Sequence, residues 1–300
     1  MSRSACRLTR PLGPRSSSAG GTMYLNHFGL REFPFGITPD TSFIYSADAH
    51  QEALNTLLIG LNTGEGFIKI TGEVGTGKTL LCRRFLATLA EDQVVAYLPN
   101  PMLEPRMLLI AIAEELGLKL EGLDYQFHLL KQFNQHLLDM AAQGKKVIIC
   151  IDEAQSMSLE SLEALRLLSN LETEKRKLLQ VVMFGQPELD QKLANPAVRQ
   201  LRQRIVFHYR MPGLKQQEAA HYLAHRLRIA GHRDGDVFPS ATARLLFRWS
   251  SGTPRLVNIL AHKAMLLAYG EGKPRVTRAH VALAAGDTEG LSAPGWWRWW

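Results

Sequence analysis

Residues 72–79 read Gly72-Glu73-Val74-Gly75-Thr76-Gly77-Lys78-Thr79, which matches the spacing G-x-x-x-x-G-K-[ST]. Those residue types at that spacing suit a polyphosphate. Gly72 and Gly77 allow tight turns, so that successive backbone N–H groups, through Glu73, Val74, Gly75 and Thr76, can face phosphate oxygens. Lys78 brings a compact charge to the β- and γ-phosphates, and Thr79 brings a hydroxyl for Mg2+. A helix opening at Thr79 and running into Leu80 turns its positive end on the same anion. A second cluster, Asp152-Glu153, follows the apolar run Val147-Ile148-Ile149-Cys150-Ile151. Asp152 is suited to hold Mg2+, directly or through water, and Glu153 to polarise an attacking water as a base. Two such acids could instead open a helix as N-cap and first-turn residues. The upstream loop favours the chemical reading.

These groups need elements to position them. Phe67–Thr71 is a short β-rich run, and Leu80, Leu81, Phe85, Leu86 and Leu89 recur at helical spacing. Strand, loop and helix thus occur in the order that a nucleotide site needs. The unbroken apolar run before Asp152 predicts a central parallel strand covered on both faces, ending at the edge where open α/β sheets bind ligands. Further strands are predicted at 94–98, 179–184 and 205–209, with helices at 107–116 and 127–140 and a leucine stripe at 159, 162, 165 and 168. Five strands alternating with helices predict an α/β fold, a parallel sheet with helices on both faces. Between Tyr24 and Leu58, the residues Phe28, Phe33, Pro34, Phe35, Pro39, Phe43 and Tyr45 predict a loop and short helix beside the phosphate loop, helping to wall a base pocket.

After Pro212-Gly213 the pattern is helical only: 216–230, 240–250, 254–269 and 277–284, separated by glycine-containing turns. The expected organisation is an extension over 1–22, a nucleotide-binding domain over 23–212, a small all-helical lid domain over 213–287, and a tail over 288–300. The extension holds Arg3, Arg7, Arg10 and Arg15 with no acid, a composition expected to be disordered. Met23 is the expected natural start. The tail holds four of the five tryptophans, which suits a membrane interface, a partner surface or an incidental extension equally.

With 46% hydrophobic and 21% charged residues, the chain has an ordinary globular composition, and no stretch approaches the length of a membrane-spanning helix. Cys6, Cys82 and Cys150 lack metal-ligand spacing, and Cys82 and Cys150 read as small core residues in a reducing cytoplasm. A net charge of +7 permits an acidic partner such as DNA or anionic lipid without requiring one. His221 and His225 stand at i and i+4, a spacing zinc accepts, yet no third ligand is nearby in the sequence.

The phosphate loop, Asp152-Glu153 and the helical lid together resemble the AAA+ ATPases, P-loop NTPases with a parallel five-stranded sheet. More narrowly, they resemble the ExeA/GspA-like secretion ATPases and the MshM proteins of mannose-sensitive haemagglutinin (MSHA) pilus biogenesis. The resemblance spans Met23 to about Ala285. It is carried by Pro34-Phe35, Pro39-Asp40, Phe43 and His50; by Ile151 to Gln155; by Leu168 to Thr173; by Gly185-Gln186-Pro187-Glu188-Leu189; and by Tyr222, His225-Arg226-Leu227 and Gly252-Thr253-Pro254-Arg255. It implies that Gln186 helps Glu153 place water, and that Arg255 senses the γ-phosphate from the lid. It also implies that Arg202 or Arg204 reaches into a neighbouring subunit of an oligomeric ring, as an arginine finger. The implied activity is Mg2+-dependent ATP hydrolysis serving type IV (MSHA-like) pilus or type II secretion assembly, in the cytoplasm or peripherally at the inner membrane. The secretion-type members look like an ATPase followed by a membrane helix and a peptidoglycan-binding part. This sequence ends soon after the lid, which favours the MshM-like reading. An ATP-dependent switch acting on DNA is the alternative, although no basic recognition helix is visible. A nucleotide-binding scaffold that barely hydrolyses is a third reading, and Glu153 argues against it.

Overall fold

The computed structural model describes residues 24–291, apart from 37, 39, 44, 46–47, 119–125, 171, 174–175 and 234. The expected extension with Cys6, the start at Met23 and the tail tryptophans all lie outside the described residues.

In chain order the elements are α1 (Asp48–Asn62), β1 (Phe67–Gly72), α2 (Lys78–Leu86), β2 (Gln93–Leu98), α3 (Pro105–Glu115), α4 (Gln126–Ala142) and β3 (Lys146–Ile151). There follow α5 (Leu159–Leu168), β4 (Glu172–Thr173), β5 (Arg176–Lys177), β6 (Leu179–Gly185), α6 (Pro187–Leu193), α7 (Arg199–Arg204) and β7 (Ile205–Met211). Four helices end the described chain: α8 (Gln216–Ile229), α9 (Ser240–Ser250), α10 (Pro254–Gly270) and α11 (Arg278–Gly286).

The main sheet has five strands in the order β2-β3-β6-β1-β7. Every neighbouring pair is parallel, so each connection must cross a face, which is why helices alternate with strands. Side chains of β3 and β6 divide by parity. Val147, Ile149, Ile151, Val181 and Met183 join one apolar cluster with α3, α4, α5 and α6. Ile148, Cys150, Val182 and Phe184 join the other, with α1 and α2. Both faces are covered, so the central strands carry no polar alternation. The edge strand β7, by contrast, alternates half-buried with exposed positions along most of its length.

A third cluster gathers α8 to α11, in which α10 buries Val257, Leu260, Ala261, Ala264, Met265 and Ala268. Tyr24, Phe28, Phe35 and Phe43 also belong here. The rings therefore pack chiefly on the terminal helices, while the segment that carries them runs beside the phosphate loop as expected, Gly36, Thr38 and Asp40 lining the same cleft as Val74 and Gly75. Apolar area is buried wherever a complementary face exists, and the helical layer supplied it. Cys82 and Cys150 are both buried free thiols, with sulfurs 3.4 Å apart across α2 and β3. Several elements were not foreseen: the full length of α1, the helices α6 and α7, and the antiparallel pair β4–β5, Glu172 opposite Lys177, between α5 and β6.

Candidate active site

Because the sheet is parallel, the ends of β1, β3 and β6 lie on one edge. β6 stands between β3 and β1, so Gln186, the residue after β6, falls between the acids and the phosphate loop. A cleft of about 450 Å3 opens there, lined by Val74, Gly75 and Gly77 to Leu80 of the loop, Glu153, Gln186, the lid residues Arg255 and Asn258, and Gly36, Thr38 and Asp40 from the amino-terminal segment.

The loop is shaped by its glycines, though not as the sequence suggested. Gly72 is still the last residue of β1, paired with Met211, and a Cβ there would come within 3.0 Å of the Met211 carbonyl. It is required by close packing. The left-handed turns are made by Gly75 (φ 80°) and Gly77 (φ 94°), a conformation costly for other residues. His50 of α1 hydrogen-bonds the backbone of Thr76 and packs against Gly77.

Lys78 opens α2 and is 5% exposed. Its Nζ donates to the carbonyls of Gly72 (2.8 Å) and Glu73 (2.9 Å), so the ammonium spans the loop. Burial lowers its proton affinity, while Glu153, Asp152, Glu73 and Glu188 oppose that effect. Asp152, 2% exposed, accepts from the Thr79 hydroxyl and from the Glu153 N–H at 2.9 Å. Burial raises its carboxyl above the ordinary range, and those two hydrogen bonds pull against it. A hydroxyl and a buried carboxylate in contact form the hard oxygen set that Mg2+ accepts.

Glu153 adopts a left-handed backbone (φ 52°), one of two such non-glycine residues among those described. Its Oε2 receives the Gln186 Nε2 at 3.1 Å and the Gln155 Nε2 at 2.5 Å.

The lid meets the loop directly. Ser251 (φ 49°) and Gly252 (φ 74°) turn the chain out of α9, and Pro254 then starts α10 at its first position, where its missing N–H costs nothing. The N–H of Arg255 donates to the Gly75 carbonyl at 3.3 Å. Its side chain is exposed on the cleft wall.

The structure thus brings together Gly75 to Leu80, Asp152, Glu153, Gln186 and Arg255. Arg202 and Arg204 lie elsewhere. They end α7 before the first residue of β7, at the opposite edge of the sheet. Arg204 donates to Ser169 Oγ (2.6 Å) and Asn170 Oδ1 (2.5 Å), while Arg202 is exposed. Neither lines this chain's own cleft.

Sequence reasoning missed several residues at the cleft. Asn258 accepts from the Tyr222 hydroxyl at 2.9 Å and donates to the Gly36 carbonyl at 3.4 Å. Arg226, 8% exposed, donates to the Pro34 carbonyl and lies 4.7 Å from the centre of the Phe43 ring. Tyr222 and Arg226 had a signal, since both sit in lid stretches that carry the resemblance. Asn258, one turn past Arg255 on α10, had only its spacing. His225 meets the Tyr45 ring edge-on and pairs with Arg228.

Comparison with known proteins agrees with this geometry. Residues 61–193 match the AAA domain family. General secretion pathway protein A of Aeromonas hydrophila is 41% identical over 279 residues, 92% of this chain and 50% of that protein, so the chain spans about half the length of this curated relative. Among solved structures, Cdc6p from Pyrobaculum aerophilum superposes with a TM-score of 0.62 at 16% identity, covering 85% of this chain and 73% of that one. The ORC2 protein of Aeropyrum pernix gives 0.59 at 18%, covering 84% and 72%. The RuvB branch migration motor of Thermotoga maritima gives 0.54 at 16%, covering 85% and 73%. These likenesses concern the fold. Taken with the phosphate loop and the paired acids on one edge of the sheet, they identify the chain as an AAA+ ATPase of the ExeA/GspA-like family.

Proposed function

We propose that the chain is a Mg2+-dependent ATPase whose hydrolysis cycle does conformational work on an envelope assembly, a type IV (MSHA-like) pilus or a type II secretion apparatus. The observation that carries the reading is the direct seat of the lid on the phosphate loop, Arg255 N–H on the Gly75 carbonyl. A nucleotide held by the loop must then be felt by the helices. The working units are the nucleotide-binding domain over 23–212 and the lid domain over 213–287.

Each residue has a task in this reading. The N–H groups of residues 73–79 and Lys78 bind the phosphates. Lys78 exchanges its two carbonyl partners for phosphate oxygens, and the low exposure of its ammonium strengthens that attraction. Thr79 and Asp152 would hold Mg2+, which would supply positive charge against that developing on the phosphates. Glu153 takes a proton from the attacking water, Gln186 fixes the geometry between that base and the phosphate, and Arg255 contacts the terminal phosphate from the lid. Loss of that phosphate removes one lid contact and changes the lid angle. Arg202 or Arg204 acts in trans, in a ring or other oligomer.

The relative's name supports the envelope role, and the +7 charge is compatible with a peripheral position at the cytoplasmic face of the inner membrane. Among the described residues, no helix is long and apolar enough to cross a membrane.

Phosphate release measured at several protein concentrations tests the proposal. Lys78→Ala is expected to lose tight ATP binding, and Glu153→Gln to bind ATP while turning over at least about 100-fold more slowly, as for removal of a general base. Normal hydrolysis by Glu153→Gln would remove the assignment of the base. Capture of envelope proteins by the ATP-held Glu153→Gln protein tests the partner class, and recovery of DNA alone would reject it.

A further inference from the structure

We infer that Gln155 is a positioning residue for hydrolysis, its one side-chain amide holding the Glu153 carboxylate and the Gln186 backbone together so that base and sensor act as a unit. The inference rests on the ATPase reading above and concerns how that site is held.

Three hydrogen bonds close a ring. The Gln155 Nε2 donates to Glu153 Oε2 at 2.5 Å, and its Oε1 accepts the Gln186 N–H at 2.9 Å. The Gln186 Nε2 then donates to the same Glu153 Oε2 at 3.1 Å. A planar amide offers a donor and an acceptor in fixed relation, which no carboxylate or hydroxyl reproduces at this reach. Both donors fall on Oε2, so Oε1 is the oxygen that takes the proton from water.

Glu153 needs such a restraint. Its left-handed backbone is costly for a residue with a Cβ, a state that persists only where surroundings over-determine it. The surroundings are built for this. Gln155 lies in the single 3-10 turn Ala154–Ser156 that follows Glu153. Lys192 of α6 donates to the carbonyls of both Gln155 and Met157 at 2.6 Å. That helix is the one that Gln186 caps. On the sheet side, a Cβ on Gly185 would stand 3.3 Å from the Gln155 Oε1, so the amide fits closely over the end of β6. A glutamine serving only the loop would satisfy loop backbone; this one spends its donor on the carboxylate placed to do the chemistry.

Gln155 does not line the phosphate cleft, so its loss should affect turnover and spare binding. A misplacement of about 1 Å at a reacting group can cost roughly 100-fold. Gln155→Ala is expected to lower kcat by about 10- to 100-fold, with KM and calorimetric Mg-ATP affinity within about twofold of wild type. Gln155→Glu keeps the acceptor for Gln186 but loses the donor and sets a second carboxylate against Glu153, so it should turn over more slowly still. The Gln155→Ala, Gln186→Ala double variant should be no slower than the worse single, because groups acting as a unit are not additive. Gln155→Ala with kcat within about twofold of wild type, or faster, overturns the inference. So does Gln155→Glu at wild-type rate. Parallel losses of ATP affinity and thermal stability in both variants would show a merely structural residue and also overturn it. A wild-type protein that hydrolyses no ATP at any concentration rejects the ATPase reading itself and the inference with it.

Discussion

Replacing Gly75 with alanine separates the seat of the lid from the intrinsic shape of the loop. Gly75 has φ +80°, and a Cβ there would stand 2.4 Å from the Cβ of Arg255, where ordinary contact begins near 3.4 Å. One partner must therefore yield by about 1 Å, and Arg255 Cβ is a rigid point on the first turn of α10, not the end of a flexible chain. Gly64 is the control: φ +76°, with nothing within 4 Å of the added atom. Both variants carry the left-handed cost of about 1–2 kcal/mol, and both should melt a few degrees lower. Only Gly75→Ala should also lose the proposed charge-assisted contact from Arg255 to phosphate, worth about 1.5–3 kcal/mol, or roughly 10- to 150-fold in ATP affinity. In an Arg255→Ala background the extra loss should vanish, leaving the backbone share. Thermal unfolding and calorimetric titration with Mg-ATP read both quantities. Equal ATP affinity for Gly75→Ala and Gly64→Ala would refute the reasoning.

Asp152→Asn should raise the melting temperature of the nucleotide-free protein while cutting turnover at least about 100-fold, as a lost metal-binding carboxylate would. Burial holds the folded-state pKa of Asp152 above its unfolded value, so the folded state binds the proton more tightly and the ionised group costs stability as pH rises through that window. A lower melting temperature at pH 7 would contradict this. The Tyr209 phenol is pushed up to about 12 by burial and by its 2.7 Å hydrogen bond to Glu52. Its contribution is complete below about pH 10 and is lost as pH rises through about 12; Tyr209→Phe should flatten that part of an alkaline stability curve, and an unchanged curve would exclude the contact. If an arginine acts in trans, Arg202 is the better placed, because Arg204 is tied to Ser169 and Asn170. Arg202→Ala should then abolish any rise of specific activity with protein concentration, and Arg204→Ala should chiefly lower the melting temperature; the reverse pattern would exchange the roles.

Much of the fold was legible because its signals are local. The run from Val147 to Ile151 is apolar on both parities, which only a strand covered on two faces tolerates, and β3 is buried from Val147 onward. The lid helices were legible from their punctuation. Ser251-Gly252 makes the left-handed turn that ends α9, and Pro254 starts α10. The β4–β5 pair was not legible, since two-residue strands have no periodicity and no Asn-Gly or Asp-Gly turn marks them. The aromatics from Tyr24 to Phe43 were legible only in part. Their types demand burial, but nothing local says against which surface.

The site divides along the same line. Lys78, Thr79, Asp152 and Glu153 could be read from the chain, since each belongs to a contiguous motif whose chemistry depends on residue type and spacing. Gly72 shows the limit: its presence was legible, its reason was not, because only the packing of β7 shows that Met211 leaves no room for a Cβ. The sequence by itself determined the glycine-rich loop and the paired acids, the groups proposed to bind phosphate and activate water. The tertiary structure alone decided that β6 lies between β3 and β1, which sets Gln186 between the acids and the loop. It alone decided that Arg255, about 180 residues beyond the loop, packs on Gly75. Strand order and long-range contact follow from which apolar faces can be buried together across the whole chain, a condition that no local stretch of sequence contains.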